Sequence, residues 1–220
     1  MRPMTWKKGL LSVALGGMMI WTACSTAWVG EAEQVVTVLI PGLANLMTLV
    51  AALQGKSVSA EDLEAVQNTG TQATSDLRLI ESLIAKYRTA DAAEQPGLLS
   101  QIQVAVKTLE SNLNGLLLSL HIKDAATQAK VTAIVALLLS EVQTVAAIVP
   151  ATDGSGGPTV TVSGRERARL KAPLTAETFV RLYNATITAK TGEDELDRAT
   201  ARLRVQFHGR LARWATAGLE

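Results

Sequence analysis

Cys24 is the only cysteine in the chain, and His121 and His208 are its only histidines. A zinc site needs several N, S or O ligands in one cluster, and no HExxH or CxxC occurs. Both histidines read as surface or helix-end residues. Gly55-Lys56-Ser57 ends like a phosphate loop, but Val50 stands where such a loop requires glycine. No GxSxG elbow is present. The glycine-rich stretch Gly154–Gly157 follows no strand-like run and opens no helix-like one. The acidic pairs Glu61/Asp62 and Glu193/Asp194 stand at helix starts, where capping accounts for them. These residues lead us to expect no enzyme, no cofactor and no metal.

Cys24 carries the most specific chemistry. Arg2, Lys7 and Lys8 form a positive start, and Gly9 to Ile20 is an uncharged, mostly apolar run. That run suits a signal peptide and is short of the ~20 residues of a spanning helix. Small residues Thr22 and Ala23 then precede Cys24. The segment resembles the lipobox of bacterial lipoproteins, in which signal peptidase II cleaves before a lipidated cysteine. Trp21 stands where that pattern favours an aliphatic residue. The resemblance covers about the first 25 residues and assigns a processing class only. It implies export, lipid on Cys24, and anchorage in the bacterial cell envelope, at the outer membrane or the periplasmic face. The alternative is secretion after ordinary cleavage behind Ala27, since Ser25-Thr26-Ala27 supplies the small residues.

Behind the signal, a core must be built from aliphatic residues: 48% of the chain is hydrophobic but only 4% aromatic. Four stretches carry apolar or small residues at alternating steps of three and four, the seam of a packed helix. The first, about 30–53, is seamed by Val36, Leu39, Leu43, Leu46, Val50 and Leu53, with Pro41 expected to kink or split it. The second, about 60–89, is seamed by Leu63, Val66, Gly70, Ala73, Leu77, Ile80, Ile84 and Tyr87, with a break expected near Gly70. The third, about 97–122, is seamed by Leu99, Ile102, Val106, Leu109, Leu113, Leu116 and Leu120. The fourth, about 125–149, is seamed by Val131, Val135, Leu138, Val142, Val145 and Val149. Ser59 with Asp62, Pro96, and Asp124 mark helix starts, and Pro150 marks a stop.

Short connections force successive helices antiparallel. The expected fold is therefore all-α: an elongated antiparallel four-helix bundle with a C-terminal two-helix hairpin. The divisions are a signal peptide (1–23), the bundle (24–150), a flexible linker with a basic run (151–173) and the hairpin (174–220). Val35 to Leu53 carries no charge and is long enough to raise the question of a membrane span. Its narrow polar stripe of Thr37, Pro41, Asn45 and Thr48 favours a core helix, and so does Glu141 in the middle of the fourth helix.

Charge divides the chain. Residues 25–163 hold 7 basic against 13 acidic side chains, a net of −6, and residues 164–220 hold 11 against 7, a net of +4. The whole carries +1, which argues against nucleic acid as a partner. The hairpin should consist of a helix to about Lys190 and another from about Glu193 to Ala215. Its basic groups should dock toward the acidic body. The rival is a tail that lies on an anionic membrane. The candidate interaction residues are Arg165, Arg167, Arg169, Arg202, Arg210, Arg213 and Trp214. The function expected is a non-enzymatic envelope lipoprotein with a structural or protein-interaction role. The expected partners are the membrane, through the lipid, and another envelope protein. The alternatives are a carrier of lipid or a small apolar ligand, suggested by the small residues Gly70 and Ala73, and a helical membrane-inserting protein.

Overall fold

A computed structural model describes residues 27–150 and 175–206 of the chain. Their helices are α1 (Ala27–Ala52), α2 (Ala60–Thr89), α3 (Gln95–Ser119), α4 (Ala125–Ile148), α5 (Ala176–Thr188) and α6 (Asp194–Thr200). The fold is all-α. Helices α1 to α4 form an up-down-up-down bundle in which each packs on its neighbours in sequence and α4 closes the ring on α1. Every residue of the four expected seams is buried. At 1.5 Å per residue α1 is about 39 Å long, so the bundle is elongated.

Contacts between chain-distant residues fix the antiparallel order. At one end the ring of Trp28 (α1) meets that of Tyr87 (α2) edge-on with centroids 5.1 Å apart. Beside them Arg88 pairs with Glu33. Gln103 of α3 donates to the carbonyl of Pro150 at the same end. At the other end Asp62 serves two helices. Its backbone N–H donates to Ser59 Oγ at 3.0 Å, which caps α2, and its Oδ1 accepts the N–H of His121 just beyond α3. Burial pushes the Asp62 carboxyl up, but the Ser59 hydroxyl donating to Oδ2 at 2.6 Å and the His121 N–H together outweigh it and hold the carboxyl below the usual range. Asp124 caps α4 by accepting from Thr127 N at 2.6 Å. The α1–α2 turn places Gly55 at φ +75°, a left-handed conformation glycine adopts without strain, and so tucks Val58 into the core.

Helix α1 is not split at Pro41, and α2 is not broken at Gly70. Helix α1 runs unbroken through Pro41. The carbonyl that loses its partner belongs to Thr37, an exposed residue, while Val38, Leu39, Gly42 and Leu43 are buried around it. Packing on α2, α4 and α5 outweighs the ~3 kcal/mol a proline costs inside a helix. Helix α2 is equally continuous through Gly70. A Cβ there would lie 2.5 Å from the sulfur of Met47, so glycine is what lets the Met47 side chain of α1 lie against α2. The space at Gly70 is therefore filled by the Met47 side chain.

Helices α5 and α6 form an arm across α1 and α4. Thr175 caps α5 by accepting from Thr178 N, and Phe179, Tyr183 and Ile187 of α5 are fully buried. The last helix is shorter than expected. It ends at Thr200, and residues 203–206 have no regular secondary structure. The side chain of Asn184 explains the change. Its Oδ1 accepts Val205 N at 2.9 Å, and its Nδ2 donates to Val205 O at 2.8 Å. Both backbone groups of Val205 are thus taken by α5, and Val205 itself is buried. Phe207, Leu211 and Trp214 lie outside the described residues.

Among the described residues of the arm, acidic rather than basic groups meet the body. The ion pair between arm and body joins the body's Lys56 to the arm's Glu195, at 2.7 Å. The acidic first turn of α6 faces the body, whereas Arg202 and Arg204 are exposed beyond it.

Candidate functional site

Helices α1 and α4 are both long and apolar enough to cross a bilayer, each with a mean hydropathy of 2.0. Here they lie side by side and α5 covers the groove between them. The site that stands out in the described residues is this covered groove, because polar groups are buried in it.

It begins at Gly42, directly after Pro41. A Cβ at Gly42 would lie 3.1 Å from Leu138 Cδ2, 3.5 Å from Phe179 Cζ and 3.5 Å from Tyr183 Cε2. The bare backbone of α1 is thus the notch where α4 and the paired rings of α5 converge. The Phe179 and Tyr183 rings have centroids 5.6 Å apart. The Tyr183 hydroxyl donates to Gly42 O at 2.9 Å. Burial pushes that phenol well above its usual range, with Asn45 of α1 opposing the shift by hydrogen bonding.

Lys130 of α4 holds the other end of α5. Its buried ammonium donates to Ile187 O at 3.1 Å and Ala189 O at 2.5 Å. These carbonyls end a helix, where a cation offsets both the missing partners and the negative end of the dipole. Burial lowers the Lys130 pKa, and nearby Asp197 of α6 works against that shift. Asp197 in turn lies below the usual carboxylate range, chiefly because Thr191 N donates to it at 2.9 Å.

Glu141 is the most unusual group. Its side chain is fully buried, and neither carboxyl oxygen has a hydrogen-bond partner among the described residues. Burial pushes its pKa from 4.5 to about 8, so the carboxyl is mostly neutral at pH 7. It lies eleven residues beyond Lys130, three turns along the same face of α4. Helix α5 runs antiparallel to α4: Phe179 and Leu138 meet at the Gly42 notch, Ile187 O lies on the Lys130 ammonium, and Glu141 follows Leu138 by one turn on α4. From the sequence alone, Glu141 reads only as a charge that disfavours a membrane span. The available signal was its step of three from Leu138, which puts a carboxyl at the edge of an apolar seam with no basic residue a turn away.

A second, open cleft of about 450 Å³ lies at the far end of the bundle. Lys56, Asp124, Thr127 and the turn Gly192–Glu195 line it. No cluster of three or more metal-ligating side chains occurs among the described residues. His121 is exposed, with Nδ1 2.6 Å from Ser119 O. Of the candidate interaction residues, Arg202 is exposed just after α6. Cys24, Arg165, Arg167, Arg169, Arg210, Arg213, Trp214 and His208 lie outside the described residues. No family model matches the chain, and no curated protein or solved structure matches it either.

Proposed function

We propose that the protein is a non-enzymatic lipoprotein of the bacterial cell envelope, a tethered helical spacer that presents its far end to another envelope protein. One observation carries the reading. Helix α1 opens at Ala27, three residues after Cys24, and Trp28 is already buried against Tyr87. A lipid on Cys24 would therefore sit almost directly on one end of a packed bundle. The opposite end, with Lys56, Asp124 and Glu193, would stand about 39 Å away. An acylated cysteine supplies anchorage, stable when more than one chain is attached. The bundle supplies distance and orientation.

Photo-crosslinking in intact cells tests this. A crosslinking side chain at exposed Glu193 should capture one defined envelope protein, and the same side chain at exposed Glu94, on the tethered end, should not. Capture of that protein equally from both ends, or from neither, overturns the spacer reading. Release of the whole protein into the medium overturns the tether.

A further inference from the structure

The covered groove between α1 and α4 holds a carboxyl that can be comfortable there only when neutral. An ionised carboxylate buried without a partner is costly, and the structure relieves that cost either by keeping the proton or by letting water in. Water reaches Glu141 only if something covering it moves. Helix α4 is bound on its other sides by α1 and α3 of the bundle, while α5 belongs to the short arm. Among the described residues, the arm is fastened by the packing of Phe179, Tyr183, Ile187 and Leu196 and by three polar contacts: Tyr183 on Gly42, Lys130 on the end of α5, and Lys56 on Glu195.

We propose that Glu141 is the switch of a pH-sensitive latch: while its carboxyl is neutral the α5–α6 arm lies closed on α1 and α4, and once it is ionised the arm swings away.

Neighbouring charges do not supply an alternative trigger. Helix α1 has no ionisable side chain from residue 34 to its end, and Glu33 is paired with Arg88. On α5, Glu177 and Arg181 are exposed, and Tyr183 is protonated throughout the accessible range. On α3, Lys107 is exposed and Glu110 accepts from Gln143 on the outer surface. On α4 itself Lys130 is three turns away, engaged with the end of α5, and on α6 Asp197 sits beside it. Among the described residues, loss of a proton from Glu141 is thus the charge change in the buried part of α4, one turn from where α5 packs at Leu138. With a closed-state pKa of about 8 against 4.5 in water, opening should become roughly tenfold more favourable per pH unit between about 5 and 8, then level off. Opening would bare the Gly42 notch, Leu138 and the rings of Phe179 and Tyr183.

Hydrogen exchange on the full mature chain, followed from pH 5 to 9 and corrected for intrinsic rates, tests the latch. The expected result is a loss of protection in residues 180–188 of roughly a hundredfold between pH 6 and 8, while the centres of α2 and α3 keep theirs. Glu141→Gln, and independently Glu141→Leu, should abolish the pH dependence. If neither variant folds, the wild-type profile decides alone. Protection in α5 that does not change with pH overturns the proposal. So does protection lost in step across α2, α3 and α5, which would mean global unfolding. A folded variant that keeps the wild-type pH profile overturns it as well.

Discussion

Tyr183 Oη lies 2.9 Å from the carbonyl of Gly42, a bond spanning 141 residues of sequence that fastens the arm to the first helix. It is possible because Gly42 has no side chain to keep the ring away. Tyr183→Phe keeps the packing and removes the bond, so it should cost about 1 kcal/mol. Gly42→Val should do more, because its branches must displace Leu138, Phe179 or Tyr183. We expect exchange protection to be lost in α5 and kept in α2 and α3. Urea titration followed by tyrosine fluorescence, with hydrogen exchange, measures both.

The stability of the folded chain should fall as pH rises. Glu141 has a folded pKa of about 8 against 4.5 when unfolded, so between these values the folded state binds the additional proton. Its favourable state is complete below about pH 4.5 and is lost as pH climbs toward 8. The penalty reaches about 5 kcal/mol above pH 8 if the groove stays closed. Glu141→Leu should be more stable than wild type at pH 8 and should flatten that slope. Denaturant midpoints at pH 5, 6.5 and 8 provide the check.

Gly70→Ala should destabilise despite alanine's better helix propensity of ~1 kcal/mol. The added carbon would overlap Met47 at 2.5 and 2.7 Å, and forcing such a core apart costs ~1–3 kcal/mol. Met47→Ala in the same chain should recover part of the loss. A double-mutant cycle showing no coupling between residues 47 and 70 would contradict this close approach.

Lys130→Met keeps the apolar stem and removes the ammonium from the carbonyls of Ile187 and Ala189. Two carbonyls at a helix end then lose their donor, at a cost of ~1–3 kcal/mol. The loss should appear first in α5 and α6, as faster exchange in residues 184–200.

The mature chain should begin at Cys24 and carry acyl chains. Intact mass checks this, and a mass beginning at Trp28 without acylation excludes it. Cys24→Ala should leave membranes during carbonate extraction. Retention would mean that an apolar helix, rather than a lipid, holds the protein there.

The four-helix ring was legible because Leu, Ile and Val recur at steps of three and four over long stretches, and the turns between them are short. Burial of Val36, Ile102 or Val142 follows from that spacing alone. The errors share one physical origin. Pro41 and Gly70 disfavour a helix locally, and neither says that α5 or Met47 will pack against it. The end of α6 was invisible because Asn184 of α5, 21 residues earlier in the chain, takes both backbone groups of Val205. Net charge averages over the tail, whereas among the described residues Glu195 meets Lys56, Asp197 lies near Lys130 and Arg202 is exposed. Glu141 could be seen, but only the covering arm makes it a buried group.

The junction of Trp28 with Tyr87, and of Glu33 with Arg88, also has a mechanical consequence. Tension applied through the chain ahead of Ala27, away from the bundle, runs along the axis of α1. Helix α1 lies against α2 and α4 over its length, so it cannot be peeled away one turn at a time. It must slide, and sliding strains contacts on both flanks together. Loaded from this end, α1 is in shear against α2 and α4 together.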